Sequence, residues 1–158
     1  MKQEVVIRAM KEEEYTLLGT FLYHAIYQNE GAPPLREDII EEPEIALYID
    51  DFGKPDDHAL VAEYQNQIVG AVFVRYIHGY GYVDEKTPEL TISVLKEFRR
   101  KGIGSALLEA MVSLLRENGY GNVSLSVQKE NPAYGLYQKL GFTVHEDKGE
   151  DVVMILSL

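Results

Sequence analysis

The chain has 158 residues, 46% hydrophobic and 26% charged, which fits one domain with its own core and excludes disorder. It contains no cysteine, which removes disulfides, thiolate metal sites and a cysteine acyl-enzyme, and its net charge of −11 opposes binding to a phosphate backbone, so no nucleic-acid partner is expected. No apolar run reaches the ~20 residues of a membrane span, and Met1-Lys2-Gln3-Glu4 leads into strand-like sequence without a signal-peptide core, so a cytoplasmic protein with no membrane partner is expected.

Val5 and Ile7 suggest a first strand, and Tyr15, Leu18, Leu22 and Ile26 recur at helical spacing over 11–28. The segment 29–34 breaks that helix. A less regular helical stretch follows over 36–48, with Pro43 interrupting it, and 50–57 forms an acidic turn. Segments 58–64 and 68–77 are rich in β-branched and aromatic residues and read as a hairpin joined by Gln65-Asn66-Gln67. Gly79, Gly81 and Pro88 bracket a loop that carries Tyr80 and Tyr82. After a strand at 90–95, the series Ile103, Ala106, Leu107, Ala110, Met111, Leu114 and Leu115 marks an amphipathic helix that ends at Asn118-Gly119. A strand at 123–127, a short helix from Asn131-Pro132 through Leu140, and strands at 142–145 and 152–156 close the chain. The order is β-α-(α)-β-β-β-α-β-α-β-β, a single domain over 1–158 without repeats or linkers.

Charge is unevenly distributed. Residues 1–63 hold 5 Lys+Arg against 15 Asp+Glu, and residues 64–158 hold 10 against 11. The basic cluster of Lys96, Arg99, Arg100 and Lys101 stands out against this background. It runs into Gly102-Ile103-Gly104 between a strand and a helix, where helix N–H groups lack partners and the dipole favours an anion. Two glycines allow a ligand close to the backbone, so a pyrophosphate fits there; a tight turn beside a solvated basic surface is the plainer alternative. Neither GxxxxGK[ST] nor GxGxxG is present, since Leu107 occupies the third glycine position.

The run Arg99-Arg100-Lys101-Gly102-Ile103-Gly104 resembles the acetyl-CoA signature [QR]-x-x-G-x-[GA] of the Gcn5-related N-acetyltransferase (GNAT) superfamily. Asn131-Pro132-Ala133-Tyr134-Gly135-Leu136-Tyr137-Gln138-Lys139-Leu140-Gly141-Phe142 is similar to that family's N-x-x-A-x-x-[LF]-Y-x-x-x-G-F block. With the element order, the resemblance spans the chain from Val5 to Leu156. It implies an α/β (α+β) fold: a central mixed, mostly antiparallel sheet of six to seven strands flanked by about four helices. It also implies acetyl-CoA as cosubstrate and an amine on a small molecule or peptide as acceptor, attacked directly.

The residue roles follow from the same resemblance. Arg99, Arg100, Lys101, Gly102, Ile103, Gly104 and Ser105 would hold the diphosphate, with Tyr134 also on the cofactor side. Main-chain groups of Val94 would hold the pantetheine arm, and the Ile92 N–H would face the acetyl oxygen. Tyr137 occupies the general-acid position, where a phenol can protonate a thiolate; a core tyrosine is its alternative. Asn131 is a cofactor contact or a helix N-cap, and both roles are compatible. An alkylammonium, with a pKa of ~10.4, needs a base. Glu89 is the first candidate, with Asp84 and Glu85 as loop alternatives. His24, His58, His78 and His145 show no metal-ligand spacing, so no metal is expected.

In the resembled family the N-terminal helices and the loop before the cofactor strand line the acceptor groove, and here that half is acidic. A cationic acceptor such as a polyamine, an amino sugar, or a lysine or N-terminal amine is expected, with Tyr76, Tyr80 and Tyr82 as groove residues. The alternative from another class is a non-catalytic acetyl-CoA sensor or protein-interaction domain of the same fold. A longer acyl donor is a second alternative. Homodimers occur among similar proteins, although no residue here specifies an interface.

Overall fold

The structure, a computed structural model, describes residues 4–158. The N-terminal residues 1–3, part of the segment expected to lack a signal core, lie outside them. Seven strands form one sheet: β1 (Val6–Ala9), β2 (His58–Tyr64), β3 (Gln67–Arg75), β4 (Glu89–Val94), β5 (Asn122–Gln128), β6 (Thr143–Asp147) and β7 (Asp151–Ser157). Their spatial order is β1-β2-β3-β4-β5-β7-β6, antiparallel throughout except between β4 and β5. The helices are α1 (Leu18–Ala25), α2 (Pro43–Ala46), α3 (Ile103–Glu117) and α4 (Ala133–Lys139). None of the described helices is long and apolar enough to cross a membrane.

Strand alternation divides the core into two layers. Leu60, Ala62, Val72 and Val74 meet the α3 stripe of Ile103, Leu107, Leu108, Met111 and Leu115 on one face. Val61, Ala71 and Phe73 meet Leu18, Phe21 and Leu22 of α1 on the other. β3 is buried on both faces, which explains its unbroken apolar run from Val69 to Val74. Each fully buried aliphatic side chain of these layers contributes about 1.5–3 kcal/mol relative to exposure. The β2–β3 turn places Gln65 and Asn66 at φ 48° and 64°, the left-handed pair that matches hairpin twist.

One sequence expectation is corrected. The continuous helix over 11–28 is a 3₁₀ turn at Glu12–Leu17 followed by α1, which ends at Ala25. Local bonds tighten its entry: Glu14 accepts from the Lys11 N–H at 2.8 Å and binds Arg8 at 2.8 and 2.9 Å. The stretch 36–48 is interrupted at Pro43 as expected: a 3₁₀ turn at Glu37–Glu41 ends at the extended Glu42, and Pro43 then opens α2 at its first position, where a missing N–H costs no helical bond. Arg75, 4% exposed at the end of β3, ties the acidic 50–57 segment to the sheet. Its guanidinium pairs with Asp57 at 3.0 Å and donates to the carbonyls of Leu47 and Asp50 at 3.1 and 2.8 Å.

Candidate active site

The sheet opens where the only parallel pair among the described residues meets. β4 and β5 share one register pair, Glu89 with Ser124, and the Ser124 N–H bonds Pro88 O at 3.0 Å. β5 then pairs along its whole length with β7, turning away from β4. The Leu95 N–H bonds Val69 O at 2.8 Å, which sets the alternation along β4. Residues 89, 91, 93 and 95 exchange hydrogen bonds with β3, so the main-chain groups of Leu90, Ile92 and Val94 point toward β5. Beyond Leu90 those of Ile92 and Val94 face the split. The Val94 carbonyl is already engaged there, accepting from Arg99 Nε at 2.9 Å.

The split ends at α3. Gly102, its N-cap, has φ 81° and ψ 3°, a left-handed conformation that strains any other residue, and it supplies no side-chain cap. The first-turn amides of Ile103, Gly104 and Ser105 therefore have no intrahelical partner. Gly104 is helical, and a Cβ there would find only Val94 Cγ2, at 3.9 Å, so the space beside it is open. The preceding cations are spread out. Arg99 turns back to Val94, Arg100 sits at φ 63°, and Lys101 Nζ lies 5.9 Å from the centre of the Phe98 ring.

Glu89 and Tyr137 lie on opposite faces of the sheet. On the α1 side Ser93 Oγ donates to Phe21 O at 2.6 Å and Glu89 Oε2 accepts from the Tyr48 hydroxyl. On the α3–α4 side Leu90, Val94 and Tyr137 share one apolar layer, with Ile92 packed against it. Tyr137 is buried, its hydroxyl has no hydrogen-bond partner among the described residues, and burial alone raises its proton affinity above that of an ordinary phenol. Nearby, Asn131 caps the start of α4: its Oδ1 accepts from the Ala133 N–H at 2.9 Å, and its carbonyl accepts from the Tyr134 N–H at 3.0 Å. Those bonds hold the first turn and leave the amide nitrogen without a partner among the described residues.

Glu89 is 2% exposed, and burial, which penalises the carboxylate, pushes its pKa up to about 7. The Tyr48 hydroxyl, the Gly81 and Gly79 amides and Lys148 pull it back less strongly. Glu89 Oε1 has no hydrogen-bond partner among the described residues, so those amides act without well-formed bonds. The segment Gly79-Tyr80-Gly81 forms a bracket over the carboxyl group. A Cβ at Gly81 would stand 2.8 Å from the Leu125 carbonyl carbon and 3.0 Å from Glu89 Cδ, so only glycine fits. Ser124 Oγ holds the Gly81 carbonyl at 2.7 Å.

The other candidates separate. Glu85 is exposed and pairs with His78 at 2.9 Å, and Asp84 bonds the Lys86 N–H at 2.9 Å within its own loop. Tyr76 stacks on Tyr120 and Tyr82 on His78, whereas Tyr80 stands on the bracket, 47% exposed. Its carbonyl accepts from Lys148 Nζ at 3.2 Å, which brings the β6–β7 turn to the site. Tyr48 and Lys148 carried no sequence signal, being 41 and 59 positions from Glu89.

The Acetyltransferase (GNAT) family model matches residues 10–142. An N-alpha-acetyltransferase of Sulfurisphaera tokodaii is 37% identical over 90 residues, 52% of this chain and 54% of that one. The chain spans about half the length of the curated relatives it matches. An acetyltransferase of the GNAT family from Streptococcus pneumoniae superposes with a TM-score of 0.70 at 22% identity, covering 98% of this chain and 100% of that one. The PaiA N-acetyltransferase of Thermoplasma acidophilum, solved in complex with coenzyme A, superposes with a TM-score of 0.69 at 20% identity, covering 98% and 99%. The shared element order and seven-strand sheet are those expected from the sequence.

Proposed function

Because the chain belongs to the acetyltransferase (GNAT) family, we propose that it transfers acetyl from acetyl-CoA to a primary amine of a cationic small molecule or peptide. One observation carries this reading: the β4–β5 split leads to the uncapped start of α3, with a carboxyl group on one face and a phenol on the other. The residues fit the cosubstrate. Gly102 turns the chain, Gly104 leaves room for a phosphate, and the amides of 103–105 supply donors. Arg100 and Lys101 add charge, while Arg99, tied to Val94, braces the end of β4. Ile92 and Val94 offer main-chain groups along the split, and Asn131 and Tyr134 lie on its α4 side.

Acetyl-CoA, when bound, supplies an activated acyl group on a thiol leaving group. Glu89 takes the proton of the acceptor ammonium, for which a pKa near neutrality is suited. The Ile92 N–H, which faces the split, would stabilise charge on the acyl oxygen. Tyr137, neutral and with an unengaged hydroxyl, donates a proton to the departing sulfur. The names of the relatives favour a peptide α-amine among the acceptors, and the acidic N-terminal half favours a cation.

Calorimetry with acetyl-CoA, followed by release of CoA thiol across peptide N-termini, polyamines and amino sugars, tests the reading. Tyr137→Phe should bind acetyl-CoA unchanged and lose about 100-fold in kcat. No association at millimolar acetyl-CoA would overturn the reading, and binding without turnover on any amine would favour an acetyl-CoA sensor.

A further inference from the structure

Tyr48 lies just past α2, within the layer packed over the Glu89 face of the sheet, and is 7% exposed. Its hydroxyl is used twice: it donates to Glu89 Oε2 and accepts from the Tyr80 N–H at 2.8 Å. Oε2 is thereby tied down, and Oε1 is the carboxyl atom without a partner among the described residues. The arrangement is close-packed. A Cβ at Gly79 would overlap Tyr48 Oη and stand 2.7 Å from Glu89 Oε1. The groups facing the carboxyl are Tyr48 from the α2 side, Lys148 from the β6–β7 turn, and the uncharged amides of the 79–81 bracket.

We propose that Tyr48 is a positioning residue for proton removal from the acceptor: by binding Oε2 it fixes the Glu89 carboxyl and reserves Oε1 for the incoming proton. The role rests on the acetyl-transfer reading above. In this step the ammonium N–H bond breaks, the proton goes to Oε1, and the electron pair stays on nitrogen as the nucleophile. Glu89 is sealed from bulk solvent, so the acceptor's proton has to pass the 79–81 bracket to reach Oε1. The Tyr48 hydroxyl keeps its own proton throughout, since burial and the adjacent carboxylate raise its proton affinity far above that of a free phenol. Its donated hydrogen bond favours the ionised carboxyl, so removing it should make Glu89 titrate at higher pH.

The test is a 13C NMR titration of the Glu89 side-chain carboxyl in wild type and Tyr48→Phe, beside the pH profile of kcat/KM. The wild-type midpoint is expected near 7. In Tyr48→Phe it should rise by about one pH unit, the size of one hydrogen bond to a charged group, with the acid limb of kcat/KM moving equally. A wild-type midpoint in the usual glutamate range overturns the proposal by itself, so the test survives a variant that fails to fold. An unmoved midpoint in Tyr48→Phe overturns it too, as does a moved midpoint with an unmoved acid limb. Turnover without the shifts sinks the positioning role alone, whereas the shifts without turnover on any amine sink the acetyl-transfer reading and this role with it.

Discussion

Glu89 and Glu14 show how one residue type takes opposite proton affinities from its surroundings. Arg8 beside Glu14 lowers that carboxyl to about 2, so it stays ionised, whereas burial raises Glu89 from 4.5 to about 7. A raised carboxyl pKa fixes the sign of its linkage to folding. Below 4.5 the group is protonated both folded and unfolded, and its burial carries no ionic penalty. Between 4.5 and 7 that advantage is lost progressively, reaching about 3 kcal/mol at higher pH. Glu89→Gln removes the titration while keeping an oxygen for Tyr48. Its melting temperature relative to wild type should therefore rise between pH 5 and pH 8, and a constant difference across that range would show that the carboxyl is not desolvated. Glu89 could be singled out from its place on a strand. Its partner could not, because 41 residues separate it from Tyr48 and no periodicity links them.

The elements were legible in proportion to the regularity of their burial. The α3 stripe repeats over four turns, and the helix stands at Ile103–Glu117 as its apolar spacing implies. The 11–28 segment has the same spacing, yet the bonds of Glu14 to Arg8 and to the Lys11 N–H tighten its first part into a 3₁₀ turn. Side-chain bonds of that kind leave no periodic trace. At the start of α3, Gly104 offers a stability gain that should leave binding in place. A methyl group there meets nothing closer than 3.9 Å and alanine is the better helix former, so Gly104→Ala should stabilise the fold by about 0.5 kcal/mol. The signature [QR]-x-x-G-x-[GA] admits alanine at this position, so acetyl-CoA affinity should change by less than about threefold. Chemical denaturation and calorimetry on one preparation check both. A loss of about tenfold in affinity would show that the methyl group reaches the bound cosubstrate.

For the molecule as a whole, the sequence conveyed the order of elements and the acidic N-terminal half, but not how the strands lie side by side. The single parallel contact between β4 and β5, and the departure of β5 toward β7, depend on pairings between residues 23 to 35 positions apart. The resemblance to the GNAT family pointed to the main chain of Ile92 and Val94; hydrophobic patterning did not. The two faces of the sheet carry different equipment, Glu89 with Tyr48 on one and Tyr137 on the other. A conjugate joining an acceptor amine to coenzyme A through a two-carbon bridge at sulfur should therefore thread the sheet from face to face and bind at least about a hundredfold tighter than coenzyme A. The same amine tethered at the adenine end should gain nothing.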